Sequence, residues 1–269
     1  MMNEKIAVKD FWNESSCGEV LYLKGEDEIE AFNHQSTMRY KLEPYILTFA
    51  NFASAANKKV LEIGVGLGAD HQKFAEAGAN LTGIDLTDKA ISHTKRRFSI
   101  FGLNSALHVG DAENLSFADE SFDIVYSWGV IHHSPDTPKV VEQIFRVLKQ
   151  GGEARIMIYH TRSIVGYMLW LRYGLFRLNP FVTLREIYDK YLESPGTKAY
   201  TIKEAKQMFA QFSTVQITTT LTHADLLTSD AGQRHRGKLL LIAKKLFPRA
   251  IIRHLMPGHG LFMMIKATK

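Results

Sequence analysis

A doubly wound α/β fold is what this sequence predicts, and three observations predict it. Short runs rich in β-branched residues alternate with amphipathic segments from Lys58 to Tyr159. Three glycines, Gly64, Gly66 and Gly68, join the first run to the first amphipathic segment, and acidic residues recur at the ends of successive runs. Strand–helix alternation at this spacing implies a parallel sheet covered by helices on both faces.

The elements follow in order. Val60–Ile63 reads as a buried strand and Ala69–Ala77 as the helix after the glycines. Leu81–Ile84 is a second strand, Asp88–Phe101 a helix, Ala106–Val109 a third strand and Phe122–Ser127 a fourth. A helix over Thr137–Leu148 closes at a Gly151-Gly152 turn, and Ala154–Tyr159 is the fifth strand. After His160 the rhythm breaks. A mostly helical insertion runs to about Tyr200, and a Thr201/Glu204 capping box opens a helix to about Phe212. Val215–Thr222 and Leu261–Ala267 read as strands, separated by a basic helical segment interrupted at Pro248 and Pro257-Gly258. The expected organisation is an N-terminal helical extension or lid at 1–57, a core at 58–160, and a helical insertion with the remaining core strands at 161–269.

Composition narrows the class. The chain has 269 residues, 45% hydrophobic and 23% charged, enough apolar material for a sizeable core. A single cysteine, Cys17, excludes an intrachain disulfide and fits a reducing cytoplasm. Met1–Asp10 is too charged for a signal peptide, and the apolar stretch Ile164–Leu178, too short for a bilayer and carrying Arg172, reads as a buried or capping helix. The formal charge of +5 is unevenly placed. Residues 161–185 hold Arg162, Arg172, Arg177 and Arg185 without an acid, and residues 231–254 hold seven basic residues without one, so the rest of the chain is net acidic. Such local basic surfaces suit an anionic ligand, a membrane face or an acidic partner, or are ordinary solvated helix faces.

Glycines between a strand and a helix let the backbone turn tightly and approach a ligand closely. Here they fall at 64, 66 and 68, whereas a dinucleotide fingerprint would place the third at 69, which is Ala69. Glu62, just before the loop, would repel a pyrophosphate but suits a cofactor that carries an ammonium. Asp85 ends the second strand, where a carboxylate can accept both ribose hydroxyls, and Asp111 follows the third, where one could hold an adenine amino group. Each of these acids alone reads equally as a helix cap or surface charge. Three in order after a glycine loop point to the carboxyl edge of the sheet as the binding edge.

Val60–Gly68, Asp85, Asp111, the run from Ser121 to His133 and the Arg146–Gly152 turn together resemble the class I S-adenosylmethionine-dependent methyltransferases, in particular the small-molecule branch with the ubiquinone and menaquinone enzymes. The likeness covers about residues 58–160. It implies a Rossmann-like seven-stranded sheet with the last strand antiparallel, Val215–Thr222 and Leu261–Ala267 being strands six and seven. It also implies S-adenosylmethionine as cofactor and a small O, S or N nucleophile as acceptor. The expected cofactor contacts are Arg39, Glu62, Gly64, Gly66, Gly68, Asp85, Leu86, Asp111, Ala112, Ser127 and Trp128, with Arg39 suited to the cofactor carboxylate and Trp128 either against the adenine or filling core space.

On the acceptor side, His132 and His133 sit where the family places residues facing the methyl group, with His132 favoured, and Tyr159 and His160 are second choices. No metal is expected. Tyr40 and Trp12 are further candidates to close over the cofactor, and Cys17 reads as structural or incidental. Tyr167, Met168, Leu169, Trp170, Tyr173 and Phe176 read as an apolar lid, or as a helix packed on the sheet or on a dimer partner. The base-methylating signatures after strand four are missing, and the acidic core disfavours nucleic acid. The glycine spacing disfavours a nicotinamide oxidoreductase. Peripheral membrane contact through residues 231–256 stays open, because Leu239–Leu255 interleaves basic and apolar residues, and so does the choice between monomer and homodimer.

Overall fold

The computed structural model describes residues 2–194, 196–229 and 247–269. Residues 230–246, which carry most of the basic segment read as an interfacial helix, lie outside the described residues. The N-terminal part is helical: α1 (Met2–Glu14), α2 (Glu19–Tyr22), α3 (Glu28–Leu42) and α4 (Tyr45–Ala50). The core follows as β1 (Lys59–Ile63), α5 (Ala69–Glu76), β2 (Asn80–Asp85), α6 (Asp88–Ile100), β3 (Ala106–Val109), β4 (Phe122–Trp128), α7 (Thr137–Val147) and β5 (Leu148–Tyr159). The insertion contributes α8 (Ile164–Tyr173) and α9 (Leu184–Tyr191), followed by α10 (Ile202–Met208), β6 (Thr214–Thr220), α11 (Arg249–Leu255) and β7 (Phe262–Thr268).

The seven strands form one sheet in the order β3-β2-β1-β4-β5-β7-β6. Strands β1 to β5 are parallel, and β7 runs antiparallel between β5 and β6. The strand order reverses between β1 and β4, and the carboxyl edge at such a reversal is where open α/β sheets bind their ligands.

Helix α7 shows why the helices take their places. Val140, Val141, Ile144 and Val147 recur on one face and are fully buried against Ile156, Ile158, Met263 and Ile265 of the sheet. Each such side chain contributes roughly 1.5–3 kcal/mol by leaving water. On the opposite face, Phe74 and Phe98 join Ile46, Phe49 and the aromatic residues of β4 and β5.

Three boundaries differ from the expectation, each for a local reason. The Gly151-Gly152 turn is absorbed into a longer β5 as an irregularity, where the register jumps from Phe122↔Leu148 to Ile124↔Glu153. The helix opened by the Thr201/Glu204 box, whose reciprocal hydrogen bonds are present, stops at Met208 because Phe209 and Phe212 turn into the core. The apolar stretch 164–178 is buried only at its start: Ile164, Gly166 and Leu169 are covered, whereas Leu175, Phe176 and Leu178 are exposed. The expected gap between strands six and seven is a 221–261 excursion whose ends still pair in register, from Thr214↔Thr268 to Thr220↔Phe262.

Candidate functional site

The glycine loop leaves β1 at the strand-order reversal. Gly64 has φ +84°, and a Cβ there would lie 2.2 Å from Val130 Cγ2, so this glycine lets the loop after β4 close onto the loop after β1. Gly66 has φ +53°, and a Cβ there would meet nothing within 4 Å, which leaves its backbone open to approach. Gly68 forms the N-cap of α5 in the left-handed region.

The three acids lie around this loop. Asp85 Oδ2 accepts the Gly66 N–H (3.2 Å), and Oδ1 accepts the Thr87 N–H (3.0 Å) and hydroxyl (2.7 Å). A carboxylate has about four lone-pair positions, so capacity remains for a ligand hydroxyl. Burial pushes the Asp85 carboxyl up against these bonds. Glu62 is buried and bonded to His71 Nδ1 (2.9 Å), whose Nε2 meets the Ser105 hydroxyl (2.8 Å). Burial first, then the charges of Asp70 and Asp85, hold Glu62 well above the carboxylate range, and burial presses His71 down to about 3. The Glu62–His71 contact is therefore a hydrogen bond to a neutral imidazole rather than an ion pair. A cationic group brought beside Glu62 and Asp85 would relieve their mutual repulsion, which is the charge an aminocarboxylate sulfonium carries. Asp111 accepts Lys5 Nζ (2.7 Å) and the Glu113 N–H (2.9 Å), and Lys5 also reaches Glu113 (2.6 Å). The first helix is thus tied across the end of β3.

Arg39 Nε and Nη2 bind both oxygens of buried Asp70 (2.9 and 2.5 Å), which also accepts the hydroxyls of Tyr40 (3.0 Å) and Tyr126 (2.7 Å). Arg39 Nη1 has Glu43 at 3.8 Å. Arg39, expected to meet a ligand carboxylate, is thus engaged by protein acids at the mouth of α5. Arg97, wholly buried, donates to the Leu67 carbonyl of the glycine loop (2.8 Å) and the Phe32 carbonyl of α3 (2.6 Å), so the N-terminal helices and the loop are held by one guanidinium. Trp128 packs its ring among Tyr45, Phe49 and Phe262 and donates its indole N–H to Glu43 (3.0 Å). The Ser127 hydroxyl donates to the Ile63 carbonyl (2.9 Å), while Leu86 and Ala112 are half-buried beside Asp85 and Asp111.

The acceptor side is built from a short 3-10 turn at Ile131–His133 after β4, the end of β5, and the segment after α9. The His132 ring lies 4.0 Å from that of Tyr159 and 4.3 Å from that of His133, and is fully buried with neither ring nitrogen bonded. Burial, reinforced by His133 and Lys198, holds its pKa well below the usual histidine range, so it is neutral at pH 7. His133 Nδ1 meets the hydroxyls of Ser194 (2.9 Å) and Thr197 (3.2 Å), and its Nε2 lies 3.5 Å from Glu193, which accepts the Tyr159 hydroxyl (2.8 Å). Trp12 of α1 packs edge-on against His133 at 5.4 Å. His132, His133 and Glu193 each offer a ligand atom within 4.8 Å of the others, the set that would take a divalent ion among the described residues. His160 is set apart: its Nδ1 faces the Gly260 carbonyl (3.3 Å) and its backbone bridges to Tyr200.

Cys17 reaches solvent but stands among protein atoms; burial first, then the Glu193 and Glu43 carboxylates, push its thiol up to about 12 against the pull of Arg39. Thiolate is the reactive form, and its loss outweighs the gain in intrinsic nucleophilicity. Alkylation by iodoacetamide at about pH 8 should run more slowly than for a free cysteine derivative. Mass spectrometry reads the rate, and alkylation as fast as the free thiol contradicts this placement.

The structure thus gathers Glu62, the glycines and Asp85 around the loop, and His132, His133 and Tyr159 on the acceptor side. The sequence reading missed Asp70, His71, Lys5, Glu113 and Glu193. Only His71, three residues past Gly68, had a signal: Gly83 in β2, where a Cβ would lie 2.6 Å from its ring.

Residues 61–156 match the model of a methyltransferase domain family. The phthiotriol/phenolphthiotriol dimycocerosates methyltransferase of Mycobacterium leprae is 36% identical over 105 residues, 38% of this chain and 38% of that protein. The chain therefore spans well under half the length of that relative. The demethylmenaquinone methyltransferase of Tropheryma whipplei is 30% identical over 160 residues, 58% of this chain and 66% of its own. Among solved structures, the Haemonchus contortus phosphoethanolamine N-methyltransferase 2, in complex with phosphomonomethylethanolamine and S-adenosylhomocysteine, superimposes with a TM-score of 0.62 at 16% identity, over 97% of this chain and 60% of that one, a likeness of fold.

Proposed function

The chain carries a class I S-adenosylmethionine-dependent methyltransferase domain, and on that premise we propose that it methylates an O, S or N nucleophile on a small apolar or lipid-like acceptor. The cofactor supplies an electrophilic methyl group on a sulfonium. Glu62 and Asp85 would hold its cationic and ribose parts, Gly66 would let its backbone approach, and Asp111 would meet its base. The carrying observation is His132, whose two unbonded ring nitrogens are buried between Tyr159 and His133 beside a loop pressed onto Gly64.

A buried polar group without a partner is costly, and a ligand hydrogen bond removes that penalty. Neutral His132 is set to accept the acceptor's X–H, orienting the nucleophile's lone pair and taking the proton as the new bond to carbon forms. Glu193 and the Ser194 hydroxyl hold Tyr159 and His133 so that the His132 ring keeps its orientation. Trp12 and the ion pairs of Lys5 bring α1 over the site, which excludes water. The two relatives, a phthiotriol/phenolphthiotriol dimycocerosates and a demethylmenaquinone methyltransferase, are in keeping with an acceptor of this kind.

The test combines a product screen and a variant. Labelled S-adenosylmethionine is incubated with thiols, phenols, amines, hydroxylated lipids and quinone precursors, and labelled product is sought. With an acceptor in hand, His132→Ala should lower turnover about tenfold or more while adenosylhomocysteine affinity stays unchanged. Undiminished turnover removes His132 from the chemistry, and no adenosylhomocysteine binding by the intact protein removes the whole reading.

A further inference from the structure

We propose that the excursion between α8 and α9 is a membrane-docking finger that inserts into the surface of an anionic phospholipid bilayer. Every residue from Leu175 to Phe181 is exposed, and the large apolar ones protrude: Phe176 is 76% exposed, Leu178 92% and Phe181 93%. Exposure above nine-tenths means that almost nothing of the protein touches these side chains, so they form a projection rather than one wall of a groove. A projection of phenylalanine and leucine fits a deformable apolar medium better than a rigid complementary surface.

The finger is also built to hold its shape. A single 3-10 turn spans Leu175–Arg177, with hydrogen bonds from Arg177 and Asn179 back to Gly174 and from Leu178 to Leu175. Three amides of the projection, those of Arg177, Leu178 and Asn179, are thus paired within the turn, which lowers the penalty of leaving bulk water. At the base, the rings of Tyr173 and Tyr191 stack at 3.9 Å, and the Trp170 indole donates to the Val182 carbonyl (3.1 Å).

Charge identifies the medium. Residues 161–185 contain four arginines and no acid, and Arg172 and Arg177 lie over the Tyr173 ring at the root of the projection, at 5.3 and 5.1 Å. Apolar residues at a tip with cations at the collar match a bilayer whose acidic headgroups overlie its hydrocarbon. The placement also has a use, which rests on the methyl-transfer reading. Helix α8 begins five residues after Tyr159 ends β5, and α9 ends two residues before Glu193, so the excursion starts and finishes at the acceptor side. A finger about 15 Å away along α8 would hold that side near the surface from which a lipid-borne acceptor could enter.

The test is co-sedimentation of the full-length protein, without cofactor, with vesicles of phosphatidylcholine alone or mixed with phosphatidylglycerol. The intact protein should pellet with the anionic vesicles. F176S/F181S, at exposed positions that leave the core untouched, should lower the bound fraction about tenfold or more. R172Q/R177Q should abolish the preference for phosphatidylglycerol. Calorimetry with adenosylhomocysteine should give the same affinity for all three proteins, which separates docking from cofactor binding. The proposal is overturned if the intact protein stays in the supernatant or if F176S/F181S pellets as well as it does. It is likewise overturned if sedimentation velocity shows a dimer that F176S/F181S converts to monomer, because the finger then serves a second copy of the chain.

Discussion

Asp70→Ala should lower the free energy of unfolding by about 3–5 kcal/mol, the range found when one partner of a buried ion pair is removed. Asp70 is 3% exposed and carries the bidentate Arg39 contact together with the Tyr40 and Tyr126 hydroxyls. The substitution strands a partly buried guanidinium and leaves two hydroxyls without their acceptor. Removing both charges, in D70A/R39A, should recover part of the loss, since the residual then reflects packing and the tyrosines alone. Urea unfolding reads both, and a loss below about 1 kcal/mol for D70A would mean that the cluster is solvated rather than structural.

The same group sets an acid limit. Burial by itself would raise the Asp70 carboxyl, but the Arg39 charge and the hydrogen bonds from Arg39, Tyr126 and Tyr40 outweigh it and hold it below the ordinary value. A lowered native pKa means that the stabilisation is complete above the unfolded value of about 3.9 and is lost as pH falls through the native one. Glu43 acts in the opposite sense. Burial pushes it up to about 7 despite Arg39. The folded chain therefore keeps a proton that the unfolded chain has released, and stability declines as pH rises from about 4.3 towards that value.

Asp70 also shows where sequence reasoning stops. The sheet and its helices were legible because they rest on local patterns: Val140, Val141, Ile144 and Val147 mark one face of a helix, and the glycines mark one turn. The placement of Glu62, Asp85 and Asp111 at or just past the carboxyl ends of three strands was legible for the same reason. Arg39 and Asp70 are 31 positions apart, and nothing in either neighbourhood says that they meet. Glu193 and Ser194 come to Tyr159 and His133 only because the whole insertion returns to its starting point, a tertiary event without periodicity. Trp128 illustrates the remaining ambiguity: an indole after strand four suits a base or a core equally in sequence, and the aromatic residues of α4 and β7 that surround it are far off in the chain.

Gly64 and Gly66 should separate folding from cofactor binding within a single loop. Both occupy the left-handed region, which costs an alanine roughly 1–2 kcal/mol. At Gly64 the new methyl would also fall 2.2 Å from Val130 Cγ2 and 2.7 Å from Cγ1, so one loop must move off the other. Overpacking of this kind adds about 1–3 kcal/mol, and G64A should be the less stable variant by about that amount. At Gly66 the methyl meets open space, so the G66A protein should lose only the roughly 1–2 kcal/mol of the left-handed backbone. That open space lies beside the Asp85 carboxylate that holds the Gly66 N–H, and in the proposed reading it is where the cofactor would approach the backbone. G66A should therefore weaken adenosylhomocysteine binding about tenfold or more, a loss of about 1.4 kcal/mol or greater by calorimetry. Equal affinity in G66A and the natural protein would place the cofactor away from this loop, and equal stability of the two variants would show that the Val130 loop yields freely.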